Sequence, residues 1–153
     1  IIFGIFAWIN TAINAWMDGF LLFAFLTDVG VFAASLYFTA IVLAPQYGTL
    51  AGPLLAVAWS LEIGIMGFYW PIFYPIINLD LPLWYDISVH LLVPITMIVD
   101  VVFNKIRIVY SDVLYLAPVV GAYLCILVGA TLHRREIYPT ISFQDLYLSL
   151  ILI

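Results

Sequence analysis

Polar residues are sparse along this chain and fall into short breaks that separate long apolar runs. The runs are too long for strands and lack the two-residue alternation of a membrane barrel, whose segments would be about ten residues each. The pattern therefore predicts helices near residues 1–17, 21–44, 53–77, 84–104, 109–132 and 143–153, the last incomplete. Each break has a chemical reason. Met17-Asp18-Gly19 is a polar turn, and Pro45-Gln46-Tyr47-Gly48 with Gly52-Pro53 brackets a loop with proline at a helix start. Pro75 to Pro82 encloses Asn78 and Asp80, Asn104-Lys105-Ile106-Arg107 forms the fourth connection, and His133 to Ser142 the fifth. No internal repeat is visible.

Composition fixes the class. Hydrophobic residues make up 67% of the 153 residues and charged ones 8%, far from the roughly 45–50% and 25% of soluble domains. The expected fold class is all-α: a polytopic membrane protein, a bundle of about six transmembrane helices forming one domain over residues 1–153. At about 20 residues per span, no room is left for a soluble domain. The first residue is Ile1 and the last apolar run, Leu146 to Ile153, is too short to cross, so both termini are expected to be cut. The first helix lacks a basic n-region and is not read as a removed signal peptide.

The net charge of −5 argues against nucleic acid and anionic lipid surfaces as partners. Membrane lipids are the expected surroundings. Cys125, the single cysteine, can form no internal disulfide and reads as a packing residue. Alternating crossings would put Asp18, Thr27, Asp28, Asp80, Asp86, His90, His133, Arg134, Arg135, Glu136 and Asp145 on one membrane side. Asp100, Lys105, Arg107 and Asp112 would lie on the other. With two Lys or Arg on each side, the positive-inside rule does not orient the chain.

Within that first group, His90 lies about 9 Å into its helix at about 1.5 Å per residue, and Thr27 lies at a similar depth in the second. A threonine hydroxyl becomes nucleophilic when a neutral imidazole takes its proton. Asp86, four residues before His90, shares its helical face and could fix the ring's tautomer, completing a nucleophile–base–acid set. The competing readings are ordinary ones: Thr27 bonded to a carbonyl one turn back, His90 bonded to a backbone carbonyl, and Asp86 a solvated residue complementing the helix dipole. Asp28 carries the same ambiguity.

Asp86, His90 and His133 could instead ligate a metal, and the two histidines a haem; no thiol joins them, and neither a metal nor another cofactor is expected. His133, Arg134 and Arg135 are candidates for binding a substrate carboxylate. Glu62, midway along the third helix, is the argument for a proton-coupled transporter, although no equally deep charged partner is evident on the other helices. Asp100 reads as structural, within reach of Lys105 or Arg107. Trp8, Trp16, Trp59, Trp70 and Trp84 read as belt and packing residues. Gly64, Gly67, Gly121 and Gly129 would allow close helix contact, as in an accessory subunit with membrane-protein partners.

The segment Asp86-Ile87-Ser88-Val89-His90-Leu91-Leu92-Val93-Pro94, followed by Asp100, Gly129 and Tyr138-Pro139, resembles the androgen-induced-protein family of multi-helix membrane hydrolases and a related group of bacterial six-helix proteins. Phe25-Leu26-Thr27-Asp28 and Phe73-Tyr74-Pro75 look like the segment with the family's nucleophilic threonine and its aromatic–proline element. The resemblance implies a six-helix cage and hydrolysis of lipid esters of the branched fatty-acid type, with Thr27 carrying the acyl group and His90 as base. Two departures stand out. Asp86 and Ile87 occupy places where the hydrolases tend to have an asparagine–histidine pair, and Gly30 and Val31 lie where the bacterial group usually has serine–asparagine. The sequence identifies no oxyanion hole.

Overall fold

The computed structural model describes residues 1–18, 23, 25–43, 48–75, 82–104 and 106–132. All of its regular elements are helical: α1 (Ile2–Asp18), α2 (Leu26–Leu43), α3 (Gly48–Phe68, running on through a wide π-turn at Tyr69–Phe73), α4 (Leu83–Phe103, with a π-turn at Ser88–Leu92), a single turn α5 (Tyr110–Val113), and α6 (Leu116–Leu132). Among the described residues, four helical stretches are long and apolar enough to cross a membrane: Leu26–Leu43, Leu50–Ile72, Leu83–Phe103 and Tyr110–Ala130. α1 is apolar but shorter. The expected segment 143–153 lies outside the described residues.

Two differences from the expected boundaries fall at prolines. α3 begins at Gly48, so Pro53 falls inside the helix rather than at its start; near the N-terminus, the main-chain bond it forgoes leaves only the Thr49 carbonyl to be satisfied otherwise. The fifth expected helix is interrupted at Leu114-Tyr115. Pro118 supplies the reason, because it has no N–H for the Leu114 carbonyl and its ring crowds that group.

α2 lies between α1 and α3, and successive helices run in opposite directions. Asn14 near the end of α1 meets Asp28 at the start of α2, and Thr27 meets His90 near the starts of α2 and α4. The core is built from Val31, Ala34, Tyr37, Leu55, Ala58, Val89, Val93 and Met97. Gly4 lets α1 approach α2 until a Cβ there would stand 3.3 Å from Phe38 Cβ.

Polarity is distributed as in a membrane bundle. Asn10, Thr11, Asn14, Asp28, Ser35, Glu62, Asp86, His90 and Asp112 are buried, whereas Ile1, Ile2, Trp16, Leu43 and Phe103 stand exposed. Lipid can solvate the second group but not the first. α6 is the most outward-facing helix: Tyr123 and Leu127 are buried, and Cys125 is exposed, which corrects its reading as a packing residue. Gly64, Gly67, Gly121 and Gly129 have no described heavy atom within 4 Å of where a Cβ would be, so they make no close helix contact among the described residues.

Candidate active site

Three helices bring one polar cluster together. Thr27 is the second residue of α2, so its hydroxyl is held at the helix start, facing α4. Its Oγ1 lies 3.1 Å from His90 Nε2. On the other side of the ring, Nδ1 lies 2.9 Å from Asp86 Oδ1 and 3.2 Å from the Asp86 carbonyl oxygen. Both of those groups only accept, so Nδ1 carries the ring proton and donates to them. Nε2 is then bare and accepts the Thr27 hydroxyl. This is the tautomer a general base for Thr27 requires.

Asp86 is buried at 6% exposure and His90 at 5%. The solvated, dipole-complementing reading of Asp86 is thereby overturned, since its carboxylate bonds His90 and also accepts from the Tyr69 hydroxyl. The Tyr69 ring lies flat on the imidazole, with centroids 3.5 Å apart and planes 2° apart. Thr27 is half-buried, the most accessible of the three expected residues.

The local fold follows from the prolines. In a regular helix the His90 carbonyl would accept the N–H four residues on, but that residue is Pro94, which has none. The helix widens, and Val93 N–H reaches back to the Ser88 carbonyl. The His90 carbonyl accepts Trp70 Nε1–H at 3.0 Å instead. α3 widens in the same way around Pro71, with Tyr74 N–H bonded to the Tyr69 carbonyl. Such wide turns are frequent at functional sites, and here they bring the Tyr69 ring onto the imidazole and Trp70 onto the His90 carbonyl.

A layer of amides backs this cluster. Ser88 Oγ donates to Asn10 Oδ1 at 2.6 Å, Asn10 Nδ2 to the Phe6 carbonyl at 2.9 Å, and Asn14 Nδ2 to Asp28 Oδ1 at 2.6 Å. Asp28, weighed as an alternative orienter of the ring, is engaged by α1. Sequence reasoning missed Tyr69, Trp70, Asn10 and Asn14. The amides carried a signal, being four apart and so on one face of a mostly apolar helix.

Elsewhere, Glu62 is fully buried on α3, and neither carboxyl oxygen has a hydrogen-bond partner among the described residues. It fills the space left by Gly30 of α2, where a Cβ would come within 2.8 Å of Oε1. At the far end of the helices, Asp100 accepts from Tyr37 OH at 2.5 Å and from Asn104, whose amide also donates to Tyr37 OH at 2.6 Å. Those neutral donors, not a lysine or arginine, are its described partners.

His133, Arg134 and Arg135 lie outside the described residues, and with them the metal and haem alternatives that used His133. No group of three or more His, Cys, Asp or Glu side chains able to hold a metal occurs among the described residues. Comparison of the chain with protein-family models, curated proteins and solved structures finds no match.

Proposed function

We propose that this chain is a multi-pass intramembrane hydrolase of lipid esters, a member of the androgen-induced-protein type of bundle. The observation that carries the reading is the chain of contacts from Thr27 Oγ1 through both nitrogens of His90 to Asp86. Three polar side chains from two helices, set in hydrocarbon and ordered as hydroxyl, imidazole and carboxylate, have the geometry of an activated nucleophile.

In the proposed reaction, Thr27 Oγ1 attacks the ester carbonyl carbon while its proton passes to His90 Nε2. The carbonyl–alkoxy bond breaks, and the imidazolium protonates the departing alkoxide, leaving the acyl group on Thr27. Water then attacks the acyl-threonine and gives a proton to Nε2. The bond to Oγ1 breaks, Thr27 regains its proton, and the fatty acid leaves. Asp86 stabilises the imidazolium at both stages and holds the proton on Nδ1.

Treatment of the purified protein with a fluorophosphonate probe tests this. Wild-type labelling that disappears in Thr27→Ala and in His90→Ala is the expected result. A folded wild type that never labels rejects the hydrolase.

Glu62 favours a second reading, a proton-coupled carrier, because a buried carboxyl with both oxygens unpartnered among the described residues is a group such carriers use. Proton uptake in reconstituted vesicles, lost in Glu62→Gln and retained in Thr27→Ala, would favour it over the hydrolase.

A further inference from the structure

We infer that Tyr69 is a positioning residue that locks the His90 imidazole in its Nδ1–H tautomer and in the plane facing Thr27. The inference rests on the hydrolase reading for its catalytic consequence, but its structural half stands on contacts alone. Tyr69 touches both members of the base pair at once. Its hydroxyl donates to Asp86 Oδ1, the same oxygen that accepts from His90 Nδ1. Its ring covers the imidazole face in a parallel stack.

Each contact removes one freedom. An imidazole carrying a single hydrogen bond to a carboxylate can still turn about its Cβ–Cγ bond, and it can exchange the proton between its nitrogens. The flat stack blocks the turn, because an edge-on imidazole would run into the Tyr69 ring. The shared oxygen blocks the exchange: with Tyr69 O–H fixing the Asp86 carboxylate in place, Oδ1 stays aligned on Nδ1 and keeps the proton there. Trp70, the next residue, anchors the same segment by donating to the His90 carbonyl, so the α3 π-turn grips both the backbone and the side chain of His90. Neither aromatic residue contacts Thr27 in any described hydrogen bond, and their effect on chemistry passes through His90 and Asp86.

Two variants separate the contacts. Tyr69→Phe keeps the stack and removes the hydroxyl; Tyr69→Leu removes both. The fluorophosphonate labelling rate should fall roughly 10- to 100-fold in Tyr69→Phe, the value of a hydrogen bond to a charged group expressed as a rate. It should fall further in Tyr69→Leu. With a soluble ester substrate, kcat should drop while KM stays near wild type. ¹⁵N spectra of histidine-labelled protein give a readout independent of activity, the His90 signals being those lost in His90→Gln. Wild type should show one fixed Nδ1–H tautomer, averaged with the Nε2–H form in Tyr69→Phe, where the hydroxyl is gone, and averaged further in Tyr69→Leu, where the ring can also turn. An unchanged single tautomer in Tyr69→Leu, or a wild-type labelling rate in both variants, overturns the inference. A wild type that shows the fixed tautomer and its loss in Tyr69→Leu, yet never labels, rejects the hydrolase and upholds the positional role.

Discussion

Asp86→Asn is the sharpest perturbation of the site, because it changes one atom in a contact network and leaves shape intact. The carboxylate accepts two hydrogen bonds on Oδ1, from His90 Nδ1 and from Tyr69. An asparagine has one accepting oxygen and one donating amide, so both acceptances survive only if the carbonyl faces both donors. If the amide turns toward the ring, Nδ1 becomes the acceptor, the proton moves to Nε2, and Thr27 loses its base. Even in the favourable orientation, a neutral amide gives no charge to offset the imidazolium. For a buried hydroxyl–imidazole–carboxylate set, the corresponding change lowers kcat by about 10⁴; at about 1.4 kcal/mol per decade this is about 5.5 kcal/mol of barrier. Stability should change far less, by about 1–3 kcal/mol, the cost of one poorly satisfied buried polar group. The assay is the labelling rate in detergent micelles alongside a thermal melt of the same sample. A folded Asp86→Asn protein that labels within threefold of wild type would falsify the role given to Asp86.

Other expectations follow from the same contacts. Glu62→Leu replaces a carboxyl that has no described partner with a side chain of similar volume, and should raise stability by about 1–3 kcal/mol, read as a higher melting temperature. A lowered one would mean the carboxyl makes a bond that stabilises the fold. Tyr37→Phe should destabilise by about 1–2 kcal/mol, because the hydroxyl both donates to Asp100 and accepts from Asn104. An unchanged denaturation midpoint would show that the pair compensates.

The parts of the site that could be read from sequence were those governed by helical spacing. Asp86 and His90 four apart, and Thr27 at matching depth in a helix running the same way, are consequences of rise and periodicity, and the three side chains do meet. Helices α2 and α4 were legible for the same reason, as long apolar stretches with polar breaks. Tyr69 was not, because it is one of ten tyrosines and belongs to a run of aromatic residues reading as membrane belt. Its orientation depends on a widened turn that ordinary helix periodicity does not describe. Trp70 was readable in principle: Pro94 deprives the His90 carbonyl of its main-chain partner, so a buried donor had to come from elsewhere. The environment of Asp86 was misjudged since depth counted from the chain's own helix start ignores neighbours; α3 covers it with Tyr69. Charge gave little help at Asp100, whose described partners are uncharged.

The widened turn at Ser88–Leu92 amounts to one surplus residue in α4. Because Pro94 offers no N–H to the fourth residue before it, the widened turn takes up that extra residue locally, and the side chains on either side keep the register of one continuous helix. Asp86 and His90 can therefore face α2 and α3 at one end of α4 while Asp100 still reaches Tyr37 at the other.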